Sequence, residues 1–415
     1  STITVSVVDV SSDDNFDAVA NQTVSVSTTD NDTAGFTIAQ SGGSTSVAES
    51  GTTDTFTLVL NAQPDSNVVF IVSSSDTGEA TVNTPFTFST ENWNTPRTVT
   101  VTGADDSIID GTITSTITVA VVDAASDDNF DGVADQTVSV TTTDNDAAGF
   151  TITQSGGSTS VSEDGTTDTF TVVLNAQPAS DVVLTITSSD TGEATVNSPL
   201  TFTAGNWNSA QTVTVTGVND NLVDGTINST ITVSVKDDSS DNNFDPVADQ
   251  TVSVSTVDND TAGFTITETG GSTAVAETGT TDTFAVVLTA QPSSNVVLSI
   301  TSGDTGEAVV NGSTASNNIL TFTSGNWNTP QSFTVTGVDD NLVDGTITST
   351  LTVAVVDALS DDSFDAVADQ TVSANTTDND TAGFTVVQSG GSTSVSEAGT
   401  TDTFTVVLSA QPTSD

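Results

Sequence analysis

The chain repeats itself at long period, which limits what it can fold into more than any single residue does. The run Asp144-Asn145-Asp146, followed by Ala147-Ala148-Gly149-Phe150, recurs with small changes at Asp30 to Phe36, Asp258 to Phe264 and Asp378 to Phe384. The spacings are 114, 114 and 120 residues, and the sequence between copies recurs in the same order. A unit of this size can build its own core, unlike the roughly 20–50-residue repeats of a solenoid. The expected organisation is three whole modules, 33–146, 147–260 and 261–380, flanked by partial modules at 1–32 and 381–415. Module 261–380 carries six extra residues, read as a loop insertion near Asn311 to Asn318. Ser1 falls inside a strand pattern and Asp415 just after one, so the chain is read as a stretch of a longer protein.

The middle module shows what each unit folds into. Phe170, Val172 and Leu174 recur at every second position, as do Val182, Leu184 and Ile186, and then Val213 and Val215. That period of two marks strands with one buried face. Ser155-Gly156-Gly157, Asp164-Gly165, Asn175-Ala176-Gln177-Pro178 and Gly205-Asn206 interrupt the pattern as turns. No segment carries a helical period. The expectation is an all-β tandem array of immunoglobulin-like, seven-stranded β-sandwiches. Outward positions are mostly Thr and Ser, which suit a solvated strand face without further function. Trp93, Trp207 and Trp327 each sit in an Asn-Trp-Asn turn and are expected to cover one end of a core.

Charge narrows the partners. Two basic residues, Arg97 and Lys236, stand against 55 acids, for a net charge of −53. Such a polyanion is repelled by nucleic acid and by anionic membrane surfaces. No stretch approaches the ~20 apolar residues of a membrane-spanning helix. Absent cysteines exclude disulfides, and a single lysine excludes an isopeptide crosslink in every module. The chain also lacks His and Tyr, so the usual nucleophile–base pairs cannot be assembled and an enzyme is not expected.

The acids fall in turns. In a seven-stranded sandwich the first, third and fifth turns share one pole with the end of the last strand. In module 147–260 that pole should gather Glu163, Asp190, Asp220, Asp224, Asp258 and Asp260. The counterparts are Glu49, Asp76, Asp106, Asp110, Asp144 and Asp146 in the first module, and Glu277, Asp304, Asp340, Asp344, Asp378 and Asp380 in the third. Six converging carboxylates with almost no Lys or Arg nearby call for a metal cation. All-oxygen donors on flexible turns select Ca2+ over Zn2+. The sixth turn lies at the opposite pole, facing the preceding module. It carries Asp127, Asp128 and Asp131, then Asp241 and Asp245, then Asp361, Asp362 and Asp365. A second calcium position clamping the seam is expected there.

The run Gln211-Thr-Val-Thr-Val-Thr-Gly-Val-Asn-Asp220, then Asp224-Gly225, a long strand and Asp258-Asn259-Asp260 resembles the Calx-β domain family, in its bacterial tandem form. The resemblance covers essentially the whole chain. It implies calcium ligands at the glutamate of the first turn, the aspartate of the third, the acids of the fifth and the terminal triplet. Two departures stand out: the triplet's middle residue is Asn145, Asn259 or Asn379, and Asn219 replaces the acid kept as Asp105 and Asp339. Fewer charges imply weaker binding, in the extracellular range of roughly 10⁻⁴–10⁻³ M. The expected function is a calcium-stiffened extender of a secreted bacterial surface adhesin or extracellular fibre. Its partners would be neighbouring repeats, other copies in a fibre, and a glycan or protein reached through domains beyond this stretch. The alternatives are a self-assembling filament subunit and a calcium-dependent glycan-binding array.

Overall fold

A computed structural model of the chain describes residues 1–312 and 318–414. The insertion expected in module 261–380 falls largely on 313–317, outside the described residues.

The middle module contains β1 (Phe150–Gln154), β2 (Thr159–Ser162), β3 (Thr167–Leu174), β4 (Val182–Ser188), β5 (Ala194–Val196), β6 (Leu200–Phe202), β7 (Gln211–Gly217), β8 (Ile227–Val235) and β9 (Gln250–Val257). They form two sheets packed face to face, in the orders β1-β3-β7-β5 and β2-β9-β8-β4-β6. All pairings are antiparallel except β2 with β9. This is the immunoglobulin-like sandwich, and the first and third whole modules repeat both sheet orders.

Nine strands appear where seven were expected, because two are divided. The first crosses from one sheet to the other between β1 and β2. Gly156 and Gly157 make that crossing at φ of 66° and 86°, a backbone region that disfavours a Cβ. The fourth is split into β5 and β6, and three-residue β5 is too short to show a period.

Alternation builds the core. Phe170, Val172 and Leu174 of β3 face Leu184 and Ile186 of β4, with Phe202, Val213, Val215, Ile231 and Val233 completing the layer. Phe170, Phe202 and Phe244 are fully buried, each burial favouring the fold by about 2–3 kcal/mol. Trp207 packs against this core, and its carbonyl accepts the Leu174 N–H at 3.1 Å, so it covers one end as expected. Separate cores lie within 36–140, 150–254 and 264–374. In the flanking segments Thr2–Val5 pairs with Gln22–Ser25, and Phe384–Gln388 with Phe404–Leu408. Their apolar positions, Val24 and Phe384 among them, are exposed.

Candidate metal centre and module seam

Turns at one end of each sandwich bring the predicted acids together. In the middle module Glu163 sits in the β2–β3 turn, its N–H donating to Val257 O of β9 at 3.1 Å. The turn lies flat on β7 because residue 217 is glycine. A Cβ there would meet the Ser162 carbonyl at 2.1 Å, and Gly103 and Gly337 make the same approach in the other modules. The β7–β8 loop supplies Asp220 and Asp224. The stretch after β9 supplies Asp258, whose carboxylate accepts N–H groups of Asp224 (3.1 Å), Gly225 (2.9 Å) and Asp260 (2.6 Å). Asp144 and Asp378 bind their modules' counterparts in the same way. Those bonds hold the Asp378 carboxyl below its ordinary range, the Gly345 N–H contributing most.

Carboxylates at these poles come close enough in threes to share an ion. Oxygens of Glu163, Glu193 and Asp224 lie within 4.8 Å of one another, as do those of Glu163, Asp220 and Asp260. The first module repeats the first triad with Glu49, Glu79 and Asp110, while its second joins Glu49 and Asp146 to Asp144, the counterpart of Asp258. The third brings Glu277, Asp340 and Asp380 together. Glu49 and Glu163 are 1% exposed, and burial with neighbouring carboxylates pushes both to a pKa of about 7 despite one backbone N–H bond each. Burial likewise raises Asp224 and Asp260, with Asp220 and Asp258 adding repulsion.

The donor set fits a hard cation. Buried oxygens of Glu49, Glu79 and Asp146 meet no hydrogen-bond donor, nor do those of Glu193, Asp224 and Asp260, or of Glu307, Asp344 and Asp380. Burying a carboxylate oxygen unpaired is costly, and here the cost recurs in all three modules. A divalent ion ligated by oxygen satisfies such atoms together.

Glu79, Glu193 and Glu307 were not among the predicted ligands. Each ends an Asp-Thr-Gly-Glu turn in register across the modules, and that recurrence was the available signal. They are 5–6% exposed, and burial raises their carboxyls, helped first by Asp110, Asp224 or Asp344. The aspartates that open these turns, Asp76, Asp190 and Asp304, are exposed and accept the N–H of Gly78, Gly192 and Gly306. Asp106, Asp220 and Asp340 each accept an N–H two residues on while facing the cluster.

The acids of the opposite pole divide. Asp127, Asp241 and Asp361 are buried and turned inward. Asp127 accepts N–H groups of Asn129, Asp65 and Ser66, which hold its carboxyl below the ordinary range. Asp241 accepts from Ser180 and Asn243. Burial would raise Asp361, but bonds from Ser293, Ser294 and Ser363 bring it to about 2. Asp128, Asp131, Asp245, Asp362 and Asp365 are exposed on the same loops.

The seams are made by the β7–β8 loop and its counterparts. Leu222 forms a parallel bridge with Gln291 of the next module, as Ile108 does with Gln177 and Leu342 with Gln411. Val223 packs against the core of module 261–380, and Ile109 against that of 147–260. The Asn243 amide donates to Ile109 O at 3.0 Å, and the Ser363 hydroxyl to Val223 O at 3.4 Å. Leu222 and Val223 therefore dock the next module while Asp220 and Asp224, on either side of them, face the carboxylate cluster.

No family model and no curated protein sequence matches the chain. Among solved structures it is similar to domains 4–9 of the surface layer protein SbsC, at 17% identity and a TM-score of 0.23 over 85% of this chain and 48% of that one. It thus spans about half the length of that protein fragment. The calcium binding domain CBD12 of CALX1.1 is similar at 10% identity and a TM-score of 0.21, over 49% of this chain and 80% of that one. A three-domain immunoglobulin stretch of titin is similar at 9% identity and a TM-score of 0.25, over 84% and 97%. At these scores the likeness adds nothing to the architecture seen in the chain itself. Among the described residues no helix is long and apolar enough to cross a membrane.

Proposed function

We propose that this chain is a spacer whose modules are stiffened by calcium, part of a secreted bacterial surface adhesin or extracellular fibre. The observation that carries this reading is the double duty of the β7–β8 loop. Asp220 and Asp224 belong to the carboxylate cluster, and Leu222 and Val223 between them grip the next module. Without a cation, converging carboxylates push the loop outward, loosening its grip. With calcium the loop is pinned and the seam ordered. Calcium is the ion proposed because the donors are all oxygens on turns of differing reach, and because the Calx-β resemblance implies it. The extracellular setting fits a weak site that fills at millimolar calcium and a cysteine-free, highly acidic chain.

Repeated modules joined by such seams provide reach, not chemistry, and we assign the stretch no catalytic role. Its partners are its own neighbouring modules; recognition of a surface would belong to other parts of the protein. Thermal unfolding of the full chain tests the reading. Millimolar Ca2+ should raise the melting temperature by many degrees over chelator, by ligand linkage, with equal Mg2+ much less effective. Equal melting curves in Ca2+ and chelator would remove calcium from the account.

A further inference from the structure

The first strand of each whole module, divided into β1 and β2, is bound to the last. In the middle module β2 lies parallel to β9, in register from Thr159 opposite Val254 to Ser162 opposite Val257. Thr45–Ala48 pairs with Gln136–Thr143, and Thr273–Ala276 with Gln370–Thr377, in the same parallel way. Side chains prolong the contact at both ends. At the entry end Gln250 Nε2 donates to the Phe150 carbonyl of β1 at 2.6 Å, as Gln136 does to Phe36 and Gln370 to Phe264. At the exit end the Glu163 N–H donates to Val257 O, and the Asn259 N–H to the Glu163 carboxylate at 3.4 Å.

That arrangement decides how a pull along the array is carried. Only residues 258–263 separate β9 from the next module's first strand, Phe264–Glu268, so tension passes on with little slack. It draws β1 and β2 back toward the preceding module and β9 forward toward the next. Because β2 and β9 run the same way, their bonds lie across the pull and are loaded together. A hairpin pulled from its open end would instead lose them one at a time. The carboxylate cluster spans the same junction. Glu163 follows β2, Asp260 follows β9, and their oxygens lie within 4.8 Å of each other, as do those of Glu49 with Asp146 and Glu277 with Asp380. An ion shared by such a pair ties the two strands where backbone pairing stops.

We propose that the first and last strands of each whole module form a load-bearing clamp, latched by calcium at its exit end. The inference rests on the calcium reading above and adds a function, bearing tension, with the strand pair that performs it. Among the described residues the flanking segments pair only in antiparallel fashion, Thr2–Val5 with Gln22–Ser25 and Phe384–Gln388 with Phe404–Leu408, and contain no such clamp.

The test is single-molecule stretching of the full chain at constant force, held by cysteines added at its two ends, since the sequence has none. Three unfolding steps are expected, one per whole module. In about 10 mM Ca2+ unfolding should be about tenfold slower or more than in chelator. Gln250→Ala/Gln370→Ala removes a bond between first and last strands in two modules and should hasten those two steps about fivefold. Gln211→Ala/Gln331→Ala removes similar amide bonds, to Thr201 O and Thr321 O, between strands that the pull does not separate. That control should unfold under load at the wild-type rate, and melting temperatures report that both variants are folded. A clamp variant that unfolds under load no faster than the control would overturn the clamp. Calcium that raises the melting temperature but leaves unfolding under load unchanged would overturn the latch while the calcium reading stands. No effect of calcium on either quantity would sink that reading itself, and the latch with it.

Discussion

Glu163 and Glu193 arrive from separate turns, yet both are buried and their carboxylate oxygens, with one from Asp224, lie within 4.8 Å of one another. Two buried acids at that separation repel unless a proton or a cation lies between them. Asp224 lies on the β7–β8 loop, so under the proposed function the seam beyond it depends on which of the two is present.

A substitution at Glu193 separates ligand from packing residue. Glu193→Gln removes one of the converging charges. In chelator the variant should be as stable as the wild type or more so. In Ca2+ it should bind about tenfold more weakly or worse, because a charged ligand is lost. A side chain that only packs would lower the melting temperature in both conditions.

Protonation gives a second signature. The Glu49 and Glu163 carboxyls sit near pKa 7 in the folded chain, against 4.5 for the ordinary group. The cation-free fold therefore binds more protons than the unfolded chain between those values, so its stability falls as pH rises through that window. Each group contributes at most about 1.4 kcal/mol per pH unit crossed. In chelator the melting temperature should be higher at pH 5.5 than at pH 7.5. In saturating Ca2+ the order should reverse, since the ion requires the carboxylate form. The same slope in both conditions would show that these glutamates do not meet the ion.

The inward aspartates of the opposite pole should behave otherwise. Asp361→Ala leaves the donors of Ser293, Ser294 and Ser363 without their acceptor. It should cost about 2–3 kcal/mol in denaturant unfolding, with Ca2+ and without it. The stabilisation that calcium adds should remain that of the wild type. A loss confined to Ca2+-containing buffer would instead place a calcium ligand at Asp361.

Sandwich, repeat and cluster were all readable because each leaves a periodic trace. The alternation at Phe170, Val172 and Leu174 gave the strands, and in-register turns gave Glu163, Asp220 and Asp260. Glu193 went unplaced because the strand after it, Ala194–Val196, is too short to show a period and so hides where its turn ends. Asp241 and Asp245 look alike in sequence. What separates them is the bond that the Ser180 N–H donates to the Asp241 carboxylate across 61 residues, which no local pattern encodes. Leu222 and Val223 did leave a trace, an apolar pair inside an acidic loop, but its meaning depends on a neighbouring module being within reach.

The central claim is that an ion held within one module orders the seam to the next. The chain has no cysteine, so Ser139→Cys and Ser253→Cys, both on exposed β-strand positions, give two unique spin-label sites on either side of a seam. Double electron–electron resonance would then read the distance distribution between modules 33–146 and 147–260. The account predicts a narrow distribution in millimolar Ca2+ and a broad one in chelator. It also predicts that Ile109→Asp, which spoils the docking residue but no member of the cluster, stays broad in both. Equal widths with and without calcium in the parent pair would contradict the claim, even if calcium raised the melting temperature.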